Sequence, residues 1–137
     1  MIISDDPELI RRVLLASRTI AVVGCSPNAG RDSHKVAAYL IDRGYDVVPV
    51  RPGVEEILGR KCYPDLRSVP RKIDIVDVFR TPEHVPGVAD EAIAVKAECL
   101  WLQEGVTHGE AARKASEAGL YVVQGRCIRT LHTVLIR

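Results

Sequence analysis

No stretch of this sequence approaches the roughly 18 consecutive apolar residues that cross a bilayer. Its first ten residues, MIISDDPELI, lack the cationic start and apolar centre of a signal peptide. A cytoplasmic location is the resulting expectation. Excess charge of either sign is also missing: 19 Lys and Arg stand against 18 Asp and Glu, a formal net charge of +1. Nothing therefore draws the whole chain toward nucleic acid or an anionic membrane, and recognition of an anion must come from a local cluster. The four cysteines, Cys25, Cys62, Cys99 and Cys127, contain no C-x-x-C pair, which argues against a zinc ribbon or a dithiol redox motif. His34, His84, His108 and His132 show no H-E-x-x-H or other compact ligand spacing, so no metal site is expected. Repeats and low-complexity tracts are absent as well.

What is present is a chain of 137 residues, 47% of them apolar, enough for one compact domain over residues 1–137 that buries its own core. Asp5 and Asp6 before Pro7 open a helix whose Leu9, Ile10, Val13 and Leu14 form an apolar stripe, so residues 1–18 read as a docking helix. TIAVV (19–23) is a β-branched run suited to a strand buried on both faces, ending at Gly24. A helix follows from Ser33, as its cap, to Arg43, stopped by Gly44. DVVPV (46–50) then completes a strand–loop–helix–strand unit of about 30 residues, the length of a parallel crossover.

The alternation continues. Ile73 to Phe79 predicts a strand, Thr81 and Pro82 open a helix toward Lys96, and CLWLQ (99–103) predicts another strand. A helix from about Glu110 to Ala118, closed by Gly119, leads into LYVVQ (120–124), and IRTLHTVLI (128–136) fits either a short helix or an edge strand. Strands alternating with helices, joined by right-handed crossovers, predict an α/β, Rossmann-like, doubly wound sheet, mainly parallel and five-stranded, with helices on both faces. Ligands of such sheets sit beyond the carboxyl ends of the strands.

The first such loop reads G-x-S-x-x-A over Gly24, Ser26 and Ala29, so two glycines of a dinucleotide fingerprint are replaced. Gly24 supplies the tight turn, Ser26 a hydroxyl, and the following helix an N-terminus for a phosphate. After the second strand, where an NAD site places an acid for the ribose hydroxyls, stands Arg51. A guanidinium there fits a phosphorylated ribose, as in NADP or coenzyme A, and Arg31 and Lys35 belong to the same region. Solvated surface charges are the alternative. Asp74 and Asp77, at odd spacing in one strand, point to opposite faces, and Asp77 is read as a buried hydrogen-bond acceptor. Glu104 falls in a pocket loop without a nearby nucleophile, and Trp101 reads as core.

Six segments together carry a resemblance: GCSPNAGRDSHKVAAYL (24–40), GYDVVPVRP (44–52), LGRKCYPDL (58–66), IDIVDVFRTPEHVP (73–86), LWLQEGV (100–106) and GRCI (125–128). In this order the chain resembles the small stand-alone CoA-binding proteins, which are similar to the N-terminal CoA-binding domain of the succinyl-CoA synthetase α subunit. The resemblance implies binding of CoA or a short acyl-CoA, with Gly24, Ser26, Ser33 and Lys35 on the phosphates and the segment from Pro49 to Pro52 flanking the adenosine. It further implies that Phe79, Arg80 and Pro82 line the nucleotide face, while Gln103 and Gly105 approach the other arm. The family commonly has Asn where this chain has Arg51, so a phosphate role for Arg51 rests on its charge alone. The synthetase's phosphorylated histidine lies in a later domain that has no counterpart among these segments, so the resemblance carries binding and not ligase activity. Cys127, at a strand end, either packs as a small apolar residue or meets the CoA thiol, where a mixed disulfide would form under oxidising conditions. Two other classes stay open: an NADP-binding reductase-like protein, and a CoA-responsive subunit, monomeric or a small homo-oligomer, that presents an apolar patch to a protein partner.

Overall fold

The computed structural model describes residues 1–136. Helix α1 (Pro7–Ala16) starts as the sequence dictates: Asp6 is its N-cap, and the carboxylate accepts from the Leu9 amide at 3.1 Å, with Pro7 at the first helical position. Its Ile10, Val13 and Leu14 are buried against the body of the protein. Strand β1 (Thr19–Val23) is buried along its whole length, α2 (Asp32–Asp42) crosses back, and β2 (Asp46–Val50) pairs parallel to β1 from Thr19↔Asp46 to Val23↔Val50.

Next comes a two-stranded hairpin, β3 (Glu56–Ile57) and β4 (Arg60–Lys61), which the sequence reading did not contain. Its two turn residues, Leu58 and Gly59, both have positive φ, 55° and 71°, as the turn of a two-residue hairpin requires. Leucine rarely takes that conformation, so the usual Asn-Gly signal is missing.

The remaining elements are a 3-10 turn at Leu66–Ser68, β5 (Ile75–Val78), a 3-10 turn at Pro82–His84 running into α3 (Val85–Ala94), β6 (Cys99–Leu102), α4 (Gly109–Glu117), β7 (Tyr121–Val123) and α5 (Ile128–Leu135). The main sheet has five strands in the order β2-β1-β5-β6-β7, all parallel. Helices cover both faces. One core cluster packs residues of α1, α2 and α5 against Ile20, Val22, Ile75 and Trp101, and the other packs those of α3 and α4 against Ala21, Val23, Val76, Val78 and Leu100. Strand alternation explains the division, because neighbouring residues point to opposite faces. The segment before α1 covers the free edge of β7: Ile3 donates to the Val122 carbonyl at 2.8 Å, and the terminal amine donates to the Leu120 carbonyl at 2.8 Å.

Several expectations shift: the docking helix read over 1–18 is confined to Pro7–Ala16, and the helix opened at Thr81 and Pro82 begins as a 3-10 turn and is α-helical over Val85–Ala94. Ser33 does not cap α2; Arg31 is the N-cap, without a side-chain bond, and Ser33 sits in the first turn because its hydroxyl turns back to accept from the Ser26 amide at 3.0 Å. The strand expected over Ile73 to Phe79 is shorter at both ends. In the segment 128–136, left open between helix and strand, Ile128–Leu135 form helix α5.

The chain winds left from β1 to β2 and then right from β5 onward, so the sheet changes direction between β1 and β5. Loops leaving the carboxyl ends of those two strands part to opposite faces, and a crevice opens between them.

Candidate functional site

At that crevice lies a cavity of about 860 Å³, inside the size range of small-molecule and cofactor sites. Five connections contribute to its wall: the loop and helix start after β1, the end of β2, the loop after β5, the turn after β6 and the start of α5. Eleven of the twelve residues expected in a site reach it: Gly24, Ser26, Ser33, Lys35, Arg51, Phe79, Arg80, Pro82, Gln103, Gly105 and Cys127. Pro49 does not. It is a buried residue inside β2, paired with Val22, and the strand must run on to Arg51 before a side chain meets the cavity.

Gly24 sets the shape of the floor. Its φ is +83°, and a Cβ there would lie 2.4 Å from the Phe79 carbonyl oxygen and 2.9 Å from Arg80 Cδ. Only glycine therefore allows the ends of β1 and β5 to approach so closely. After it, the loop is built from hydroxyls and amides. Ser26 Oγ accepts from the Asn28 amide at 3.1 Å, Ser33 Oγ accepts from the Ser26 amide at 3.0 Å, and Asn28 Oδ1 accepts from the Gly30 amide at 2.8 Å. Each serine thus braces the loop as an acceptor and keeps its own O–H for another partner. Because no side chain caps α2, its first turn also offers amide donors and the positive end of the helix dipole.

Across the cavity, Gln103 is nearly fully buried, and its Oε1 accepts from the Ile128 amide at 3.1 Å. That bond caps α5, whose N-cap residue Cys127 makes no side-chain bond of its own. Gly105, at φ +82°, closes the turn in which Val106 donates to the Gln103 carbonyl at 2.8 Å. Trp101 is core, as expected, and its indole also donates to the Arg126 carbonyl at 2.7 Å, fixing the approach to Cys127.

Charge is distributed unevenly here. Arg31, Lys35, Arg51, Arg80 and Arg129 line the cavity, against two carboxylates, Asp32 and Glu104. None of these five cations belongs to any of the seven ion pairs formed among the described residues. Arg51 makes only a long bond of 3.4 Å to the Cys25 carbonyl. A nearly neutral protein thus concentrates unneutralised positive charge in one concave place, which attracts an anion. Thr81, Val106, Arg129 and Thr130 were not among the expected residues. The last two open α5, and their position follows once 128–136 is known to be a helix.

The buried carboxyl departs from expectation. Asp77 is fully buried, yet neither oxygen has a hydrogen-bond partner among the described residues. Burial, and then the negative charge of a Cys127 thiolate, push its carboxyl well above the usual carboxylate range. Burial likewise pushes the Cys25 thiol up to about 12. Among the described residues no group of three or more metal-ligating side chains gathers, and no helix is long and apolar enough to cross a membrane.

Residues 18–133 match the CoA binding domain family. The chain is 40% identical over 125 residues to the uncharacterized protein YneT of Bacillus subtilis (strain 168), covering 91% of this chain and 93% of that protein. It is 27% identical over 114 residues to the ADP-forming acetate–CoA ligase II of Archaeoglobus fulgidus, covering 77% of this chain and 17% of the ligase. A solved structure, a hypothetical protein from Pyrococcus horikoshii OT3, superposes with a TM-score of 0.93 at 43% identity, over 96% of this chain and 92% of that one.

Proposed function

The chain belongs to the CoA-binding domain family, and from that premise we propose that it binds coenzyme A or a short acyl-CoA in the cavity at the carboxyl ends of β1 and β5, without ligase chemistry of its own. The observation that carries the proposal is the set of five cations around one cavity that stand outside every ion pair among the described residues. Phosphates are the anions such a set fits, and CoA brings a pyrophosphate and a ribose phosphate.

In this reading the pyrophosphate meets the hydroxyls of Ser26 and Ser33 and the open first turn of α2, with Arg31 and Lys35 adding charge. Gly24 lets the ligand backbone come close. Arg51, at the β2 end, takes the ribose phosphate, and Phe79, Arg80 and Pro82 form the wall beside the adenosine. The pantetheine arm runs toward Gln103, Gly105 and the start of α5, where Cys127 stands. The ligase relative corresponds to this chain over 17% of its length, so the activity of the whole enzyme is not carried over. A single folded unit that holds or delivers CoA is the function this leaves.

Arg51 also favours a second reading, because a guanidinium at the β2 end accepts the 2′-phosphate of NADP. Calorimetry of the full chain with CoA, acetyl-CoA, NADP and NAD separates the two. The expected result is tighter binding of CoA or acetyl-CoA than of either dinucleotide; NADP binding of equal or greater strength overturns the CoA reading.

A further inference from the structure

One end of the cavity carries hydrogen-bond donors that the fold does not use. Gln103, in the turn after β6, is only 4% exposed, and half of its carboxamide is committed: Oε1 accepts from the Ile128 amide at 3.1 Å. A backbone amide must face an oxygen, so that bond fixes which end of the carboxamide is which and leaves Nε2 with two hydrogens to donate. Nε2 has no partner among the described residues. The side-chain atoms that are both unpartnered and sealed from any opening are the two Asp77 oxygens, so the Gln103 Nε2 opens on the cavity that its residue lines.

The first turn of α5 stands beside it. Its Ile128 amide is tied to Gln103, and the Leu131 amide closes on the Cys127 carbonyl at 3.0 Å, but between them the Arg129 and Thr130 amides donate to nothing among the described residues. Cys127, the N-cap, adds no side-chain bond. The turn is held in place from behind, where the Trp101 indole donates to the Arg126 carbonyl at 2.7 Å and the Gly125 amide to the Val106 carbonyl at 3.1 Å. Arg129 and Glu104 both line this end of the cavity, and their charges offset. The other four cations, Arg31, Lys35, Arg51 and Arg80, belong to α2 and to the ends of β2 and β5. Donors without net charge suit a neutral carbonyl oxygen, whereas the four cations suit phosphates.

We propose that this end of the cavity recognises the thioester carbonyl of an acyl-CoA, with the Gln103 Nε2 and the free amides of α5 as its donors, so that the preferred ligand carries a short uncharged acyl group and is not CoA itself. The proposal rests on the CoA reading above, which brings the sulfur end of the pantetheine arm to the start of α5. Free CoA ends there in a thiol, whose sulfur is a weak acceptor, and leaves the donors unmet. A thioester places a carbonyl oxygen one bond from that sulfur, among them. Gln103 thereby sets specificity: one atom of its carboxamide holds α5 in position, and the other reads the acyl group.

Calorimetry of the full chain with acetyl-CoA, CoA and S-ethyl-CoA tests this, because S-ethyl-CoA keeps the length of the acetyl group and has a methylene in place of the carbonyl. Acetyl-CoA is expected to bind about fivefold more tightly than either of the others, the net value of one hydrogen bond. Gln103→Glu keeps an oxygen for the Ile128 amide and replaces the donor with an acceptor; Gln103→Met, of similar length, has no donor at all. In both, the ratio of acetyl-CoA to S-ethyl-CoA affinity is expected to fall to about one, and denaturant unfolding checks that they fold. A wild-type chain that binds all three ligands alike, or a preference for acetyl-CoA that survives in both variants, overturns this inference and leaves the binding reading intact. A chain that binds none of the three overturns the binding reading instead.

Discussion

The two ends of the sheet are finished to different standards. At the amino end the acids Asp46, Asp74 and Glu98 all have partners. Asp46, opening β2, takes a two-point contact from Arg71 at 2.7 and 3.0 Å and a bond from the Thr19 hydroxyl at 3.1 Å. Those partners hold its carboxyl below the usual range. Asp74 accepts from the Arg18 and Thr19 amides at 2.8 and 3.0 Å, and Lys72 meets Glu98 at 2.9 Å. At the carboxyl end, among the described residues, five cations stand outside every ion pair, the first turn of α2 has no side-chain cap, and the Asp77 carboxyl has no hydrogen-bond partner. Both ends are drawn from the same composition, so the contrast is one of placement. Groups that hold the fold together find partners within it, while the cations proposed to meet a ligand stay outside its ion pairs.

The largest effect expected from breaking this contrast comes at the floor of the cavity. Gly24→Ala forces a Cβ against the Phe79 carbonyl in a left-handed backbone, and we expect a loss of about 3 kcal/mol or more in denaturant unfolding, together with loss of CoA binding. Gly119→Ala is the control: it shares a positive φ but has open space around it, so a cost near 1 kcal/mol is expected. Equal costs at the two positions contradict the close approach of β1 and β5.

A smaller effect follows pH. Folded Asp77 holds its proton well above 3.8, the value at which the unfolded chain releases it. The folded protein therefore loses stability as pH rises from about 4 toward the raised value, with a limiting slope of about 1.4 kcal/mol per pH unit, and shows no effect below both values. Asp77→Leu removes this drain, so the variant's stability advantage over the wild type should widen between pH 5 and pH 8. An advantage constant across that range contradicts a neutral buried acid.

The smallest effects are the most diagnostic of the contrast itself. Asp46→Asn should cost roughly 1 kcal/mol of stability, since its partly exposed pair with Arg71 is screened by solvent, and leave CoA affinity within about twofold. Arg51→Ala should do the opposite, weakening CoA about tenfold while stability moves by less than about 0.5 kcal/mol. Calorimetry and denaturant unfolding of both variants check the crossed pattern, and a stability loss in Arg51→Ala matching that of Asp46→Asn breaks it.

Much of the fold could be read from the sequence because its signals are local and repeated. Continuous β-branched runs such as TIAVV and glycine stops such as Gly44 recur at crossover spacing, and the resulting strand ends pointed to the cavity loops. What escaped depends on partners that local sequence does not name. Leu58 at a positive φ hides the hairpin. Ser33 is a good cap residue by type, but nothing in the sequence says that its hydroxyl faces Ser26 rather than the helix. Alternation gave the direction of Asp77, not its lack of a partner. Arg129 and Thr130 were missed because the α5 segment satisfied two periodicities at once, and Pro49 fell short of the cavity because β2 continues through Val50.

Mapping amide shifts by NMR on the full chain as CoA is added tests whether the carboxyl end of the sheet is the ligand end. The expected result is saturable movement of Ser26, Asp32, Ser33, Arg51, Arg80, Gln103 and Cys127, with Asp46, Asp74 and Glu98 unmoved. Shifts centred on the amino end, or none at saturating CoA, would contradict it.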